Sequence, residues 1–355
     1  MTRILKTFSL LFVPIYYLII TLRNIFFDYG ILKSEKVRSK VISIGNLVVG
    51  GSGKTPFVIY IVKLLKNLGW KPSVLSRGYG RKSKGYVLVS KDGTNDNIDV
   101  DKCGDEIYQT VLECKVPAAV SERRIEGATR LLNETDTNVI VLDDAFQHRY
   151  IKRDIDLVLI DKTFFNNTSI FNQSLLPSGL MREPFNSLKR ADAIILNNKF
   201  HDEDKNLEAE EILKKFNKPI FKAYYKAISF VDMTRKTKYS LEEFNGQDSL
   251  VVSGIANPTS FLTILQKTGV STKNHLIFKD HKNYTEKDVQ LIRKTFYSTN
   301  AHSLVTTEKD AVKLLKFARE FDDIDIFYLK ITLCLENEEE FIEYLKSKLN
   351  NTVTN

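Results

Sequence analysis

The chain is poor in sulfur and indole, with three cysteines, three methionines and one tryptophan among 355 residues. Cys103, Cys114 and Cys334 are an odd set without CxxC spacing, which excludes a disulfide framework and predicts reduced thiols in a cytosolic setting, with no metal site built on them. Internal repeats and low-complexity tracts are missing. With 43% hydrophobic and 27% charged residues, neither wholesale disorder nor a polytopic membrane protein fits. At roughly 100 to 200 residues per domain, the length predicts two domains.

What the sequence does have is an uneven charge. Residues 1–40 hold seven lysines and arginines against Asp28 and Glu35, so five of the net +8 lie there. Beside them runs an uncharged stretch, Thr7 to Leu22. Its 16 residues would rise about 24 Å as a helix, short of a hydrocarbon core about 30 Å thick. A cleaved signal peptide would need a small-residue exit site, and Arg23, Asn24, Ile25, Phe26 and Phe27 follow instead. A helix packed on the protein's own core would use the helical spacing of Leu5, Phe8, Phe12, Ile15, Ile19, Leu22 and Phe26. A membrane contact accounts better for apolar residues on the other face (Leu10, Val13, Tyr17, Ile20) and for the basic, tyrosine-bearing flanks. Pro14 favours a short or shallow insertion.

Beyond residue 40, short Val/Ile-rich runs alternate with helical periods. Strands are predicted at Val41–Gly45, Pro72–Ser76, Asn138–Leu142, Asp156–Ile160 and Ala191–Leu196, with helices such as Thr55–Asn67 and Gly104–Glu113 between them. A polar helical run near 201–218 precedes a second cycle: Leu250–Ser253, a helix at 258–267, His275–Phe278, a helix at 285–296, Ser303–Thr306 and a helix at 308–319. The order predicts an α/β fold, a mostly parallel sheet flanked by helices, with a second smaller α/β lobe. The expected division is 1–40 as an apolar, basic segment, 41–215 as the core lobe and 216–355 as the second lobe.

The strongest chemical signal is Gly50, Gly51, Ser52, Gly53, Lys54, Thr55 and Pro56, placed between the strand VISIGN and an apolar-periodic helix. Such a loop aims backbone N–H groups and a helix N-terminus at phosphates, Lys54 reaches the β and γ phosphates, and the Thr55 hydroxyl suits Mg²⁺. The general pattern GxxxxGK[ST] would have glycine where this chain has Val48. A second strand, NVIVLDD, ends in Asp143 and Asp144, the usual way a phosphate-loop protein presents carboxylates to Mg²⁺. For a base, Asp105 in CGDE and His281 in KDHKNY are candidates, although a helix cap and a surface histidine explain them equally well from position alone.

Together these residues resemble the tetraacyldisaccharide 4'-kinase family, the lipid A 4'-kinases (LpxK). The resemblance runs through ISIGNLVVGGSGKTP (42–56), SRGYGR (76–81), GDE (104–106), LDDAFQHR (142–149), LLPSGLMREP (175–184), VSGIANP (252–258), KDHKNY (279–284) and VTTEKDAVK (305–313). It implies a P-loop-like kinase that moves the ATP γ-phosphate to the 4'-hydroxyl of a tetraacyldisaccharide 1-phosphate, giving lipid IVA. The implied setting is the cytoplasmic face of the bacterial inner membrane, with ATP and Mg²⁺ as cofactors, a monomer and no nucleic acid. It also accommodates Val48, since the family uses its own GGxGKT form. Lys54 and Thr55 would hold phosphates and metal, Asp143 and Asp144 would serve the metal and its surroundings, and Asp105 would be the general base paired with His281 of the second lobe, whose closure would exclude water.

Arg182 and Glu183 would contribute phosphoryl charge and a metal ligand, or form a structural ion pair. Ser76, Arg77, Tyr79 and Arg81 would meet the disaccharide or its phosphate, with Gln147 and His148 supporting the site. Ala145 and Lys282 stand where the family often has glycine and histidine. Two other readings are a membrane-associated P-loop NTPase switch and a nucleotide-binding scaffold without chemistry. The nearest guanine motif, Asn198-Lys199-Phe200-His201, lacks the closing Asp, and a scaffold leaves Asp105 and His281 without a purpose.

Overall fold

A computed structural model describes residues 9–50, 52–94, 99–166, 173–199, 207–255, 257–280 and 282–351. The chain divides into two units, Met1–Tyr224 with Cys334–Asn355, and Tyr225–Leu333.

The first unit is ordered by strand burial. β1 (Lys40–Asn46), β2 (Pro72–Ser76), β5 (Val139–Asp143), β6 (Ile155–Asp161) and β7 (Ala193–Lys199) are buried almost throughout, as continuous apolar runs require when helices cover both faces. They lie in the order β7-β6-β1-β5-β2, followed by β4 (Ala118–Val120) and β3 (Val87–Ser90). All neighbours are parallel except β3 with β4. Parallel pairing puts the C-terminal ends of β1, β5 and β2 side by side: Ile44 is level with Asp143, and Leu75 with Leu142. Loops that leave these ends share one edge, where open α/β sheets bind ligands.

Two helices frame that edge. α1 (Val13–Asp28) begins with Pro14 in its first turn, where the missing N–H costs nothing, and buries only Phe27. α2 (Lys54–Asn67) buries Phe57, Val58, Ile61, Val62, Leu64 and Leu65 at helical spacing. Each such burial contributes about 1.5–3 kcal/mol, so Ile61→Ala would strip α2 of part of its hold on the sheet. α3 (Asp105–Cys114) and α4 (Arg124–Glu134) bury Ile107, Val111, Ala128 and Leu131.

In the second unit β11 (Ser271–Ile277), β10 (Asp248–Ser253), β12 (Ser303–Thr307) and β13 (Ile326–Leu335) are adjacent and parallel. Helices α5 (Pro258–Lys267), α6 (Glu286–Ser298) and α7 (Glu308–Leu314) carry explicit caps: Asn257 accepts from Ser260 N–H, Thr285 and Asp288 form a capping box, and Thr307 accepts from Asp310 N–H. Asp310 is fully buried, its Oδ2 accepting from Gly254 N–H at 2.9 Å and Thr307 Oγ1 at 2.7 Å.

This grouping differs from the expected second lobe of 216–355. The chain leaves the first unit inside β8 (Ile220–Asp232) and returns inside β13, so α8 (Glu338–Asn351) falls in the first unit. Its apolar face explains why: Phe341 and Tyr344 meet Phe221 with ring centroids 4.9 and 5.4 Å apart, and Tyr344 hydroxyl donates to the Asp192 carbonyl. Element types agree with expectation where periodicity was strong. β3, β4 and β9 (Lys238–Tyr239) are only four, three and two residues long, too short to carry a period.

Candidate active site at the phosphate loop

The loop after β1 turns on two glycines in the left-handed region, Gly50 at φ +116° and Gly53 at φ +88°, which side chains disfavour. Gly53 is the N-cap of α2, so Lys54 and Thr55 open the helix. Ser52 is buried and held twice: its hydroxyl accepts from Asn46 Nδ2 at 2.9 Å and its carbonyl from Asn197 Nδ2 at 2.9 Å. Gly51 lies outside the described residues.

The start of the loop is not the usual tight glycine turn. Val49 N–H donates to the Leu180 carbonyl and Arg182 N–H to the Leu47 carbonyl, both at 2.7 Å, while Val48 bridges Met181 antiparallel. Val48 therefore stands where a P-loop commonly has glycine because here the chain runs extended, with its side chain against Leu175 and Met181. The LLPSGLMREP segment is thus tied by main chain to the phosphate loop.

Three charged groups converge beside it. Arg182 Nη1 donates to both oxygens of Asp144, at 2.7 and 2.9 Å, and Lys54 Nζ lies 3.6 Å from Asp144 Oδ1. Asp144 is held at φ +50°, a conformation that aspartate tolerates better than most residues. Its neighbour Asp143 is buried in the end of β5, where Ser76 Oγ donates to its Oδ2 at 3.4 Å.

The two carboxyls are driven apart electrostatically. Burial raises Asp143, and the carboxylates of Glu106 and Asp144 raise it further against the opposing pull of Lys54 and Arg124. Burial also acts upward on Asp144, but Lys54 and Arg182 outweigh it and hold that group below its ordinary value. One group therefore stays ionised while the other is poised to bind a proton or cation.

Beneath them lies Arg124, at the start of α4 and 1% exposed, whose guanidinium donates to the Ser121 carbonyl at 2.5 Å and the Asp143 carbonyl at 3.3 Å. Sequence reasoning missed it because adjacent Arg123 and Arg124 look alike until the helix start is placed. His148 is lowered to about 4 by burial and then by Arg124 and other arginines, and so stays neutral.

Asp105 opens α3 and is 7% exposed. A Cβ on Gly104 would lie 2.9 Å from the Tyr79 carbonyl, so the SRGYGR loop packs closely on GDE. Ser76 reaches the site, Arg77 is among the charges acting on His148, and Tyr79 is 67% exposed. Arg81 is committed to Glu122 Oε1 and the Gly85 carbonyl, both at 2.6 Å. Gln147 Nε2 donates to the Asn46 carbonyl at 2.9 Å, at the end of β1. Glu183 is fully buried, accepting from Arg190 at 3.0 Å and from Asn24 at 2.9 Å. His281 lies outside the described residues. Among the described residues no cluster of three or more His, Cys, Asp and Glu could hold a metal.

The profile of the family described as Tetraacyldisaccharide-1-P 4'-kinase (LpxK) matches residues 1–350. The chain belongs to this family. The tetraacyldisaccharide 4'-kinase of Chlorobium phaeovibrioides is 36% identical over 337 residues, 92% of each chain. That of Phocaeicola vulgatus is 37% identical over 307 residues, 82% of this chain and 80% of its own. The crystal structure of LpxK from Aquifex aeolicus in complex with ATP superimposes with a TM-score of 0.76 at 31% identity, covering 97% of this chain and 99% of that one. The expected P-loop-like α/β fold agrees with that neighbour, and the chain is a kinase of lipid A biosynthesis.

Proposed function

We propose that this kinase transfers the ATP γ-phosphate to the 4'-hydroxyl of a tetraacyldisaccharide 1-phosphate, yielding lipid IVA and ADP. The observation that carries the reading is the junction of Lys54, Asp144 and Arg182 beside a glycine-turned phosphate loop. Two cations held against one carboxylate are placed to exchange that partner for developing phosphoryl charge. The likeness to an ATP complex supports the nucleotide.

In the step, a bond forms between the 4'-oxygen and the γ-phosphorus while the bond to the β–γ bridging oxygen breaks, and ADP leaves. Asp105 accepts the hydroxyl proton, and His281 is assigned the role of orienting that carboxylate and sharing the proton. Mg²⁺ suits the donor set: Asp143 Oδ1 is buried with no hydrogen-bond partner among the described residues, and a hard cation takes carboxylate oxygen. Thr55 and Asp143 would hold it, with Asp144 and Glu183 the remaining candidates. Bound there, the metal supplies charge neutralisation at the phosphates. Ser76, Arg77, Tyr79 and Arg81 are assigned to the sugar and its 1-phosphate.

The proposed setting is the cytoplasmic face of the inner membrane, with the protein as a monomer. Leu10–Asp28 is long and apolar enough to cross a membrane, and its outward apolar side chains are exposed, Leu11 by 70% and Ile19 by 57%. Purified protein with detergent, Mg-ATP and the lipid should form a 4'-phosphorylated product. Absence of that product, or full activity of Asp105→Ala, would overturn the assignment.

A further inference from the structure

The first helix has two unlike faces. Outward it shows Leu11, Ile15, Leu18, Ile19 and Leu22. Inward it is polar and specific: Tyr16 hydroxyl donates to the Arg182 carbonyl at 3.0 Å, Asn24 Nδ2 to Glu183 Oε2 at 2.9 Å, and Arg23 to the Gln147 carbonyl at 2.5 Å. Arg149 returns a bond to the Asn24 carbonyl at 3.1 Å.

These partners lie 124 to 166 positions from the helix residues they meet, and the segments that carry Arg182 and Gln147 are bonded to one loop. Arg182 N–H donates to the Leu47 carbonyl, Val49 N–H to the Leu180 carbonyl, and Gln147 Nε2 to the Asn46 carbonyl. Glu183 is 0% exposed, and a carboxylate cut off from water depends on its donors. Among the described residues, Asn24 and Arg190 donate to Glu183 Oε2.

A helix that only held a lipid surface would need its apolar face and basic flank, and nothing in that task calls for Asn24 or the Tyr16 hydroxyl. We propose that Asn24 and Tyr16 are positioning residues of the kinase, fixing the Leu180–Glu183 segment and through it the phosphate loop and the Arg182–Asp144 pair. The helix that meets the lipid is then part of the scaffold of the site. For its activity arm this inference rests on the kinase reading above.

The test uses the full chain carrying Asn24→Asp, which keeps the shape but sets a carboxylate against Glu183, and separately Tyr16→Phe. In detergent, Asn24→Asp should lower kcat about tenfold or more, with KM for the lipid changing less than about twofold. Amide exchange at Val49 and Arg182 should accelerate while that at Ile61 and Leu65 stays as in the wild type, and sedimentation with phospholipid vesicles should not change. Tyr16→Phe should shift the same amides to a smaller degree. Wild-type kcat together with wild-type exchange at Val49 and Arg182 would overturn the proposal, as would a loss of rate accompanied by faster exchange throughout α2. If the wild-type protein makes no product, the kinase reading fails, and exchange at Val49 and Arg182 still decides whether the helix sets the loop.

Discussion

Arg182 meets Asp144 with one guanidinium nitrogen near both carboxylate oxygens, at 2.7 and 2.9 Å, although the two residues are 38 positions apart. Lys54 approaches the same carboxylate at 3.6 Å. A lysine at position 182 would keep the charge and lose the planar donor geometry. Arg182→Lys is therefore expected to reduce kcat about ten- to a hundredfold, the equivalent of about 1.5–3 kcal/mol for a charged hydrogen bond. Steady-state kinetics with Mg-ATP and the lipid measure it, and an unchanged kcat would show that the pair has no part in the step.

Asp143 should trade stability for function. Its folded pKa is raised, first by burial and then by Glu106 and Asp144, so the folded state keeps a proton that the unfolded chain releases. Stability from this group is thus present at or below the ordinary carboxylate range and declines as pH rises toward the folded value. Asp143→Asn removes that slope. In EDTA its Tm should match the wild type near pH 4 and exceed it by about 2–4 °C at pH 8, while kinase activity is lost. A Tm below the wild type at pH 8 would contradict the account.

The base assignment predicts a kinetic pattern. Asp105→Asn keeps size and polarity but cannot accept the hydroxyl proton, so kcat should drop by about 10²–10⁴. Nucleotide affinity, measured by calorimetry, should be preserved. A variant that loses nucleotide binding as well would point to a structural role at the start of α3.

Gly45 has its own steric test. A Cβ there would lie 2.5 Å from Phe146 Cβ and 2.6 Å from Phe146 N, a backbone atom that cannot step aside cheaply. Gly45→Ala should destabilise the protein by about 1–3 kcal/mol or more and spread β1 from the turn after Asp144. Chemical denaturation reads the loss, and a wild-type midpoint would refute the close approach.

Much of the core lobe was legible from local pattern. Lys54–Asn67 shows helical apolar spacing behind glycines, and Val139–Asp143 is an apolar run ending in carboxylates; both signals lie within a window of about fifteen residues. The extended path of Val48 was not legible, because it depends on pairing with Met181, 133 residues away. Nor was the burial of Arg124, since an arginine under a carboxylate pair has the same letter as one in water.

The sequence by itself determined the two-cycle α/β plan, the phosphate loop, the carboxylate strand, the family and the apolar, basic first helix, because each is written in short-range spacing or in ordered motifs. Tertiary structure alone decided that Arg182 faces Asp144, that Glu183 is closed by Asn24 and Arg190, and that the last helix joins the first unit through Phe341 and Phe221. Apart from the local Arg190–Glu183 pair, those contacts join residues far apart in the chain, and their cost in loop closure is met only once the sheet has brought the strand ends together.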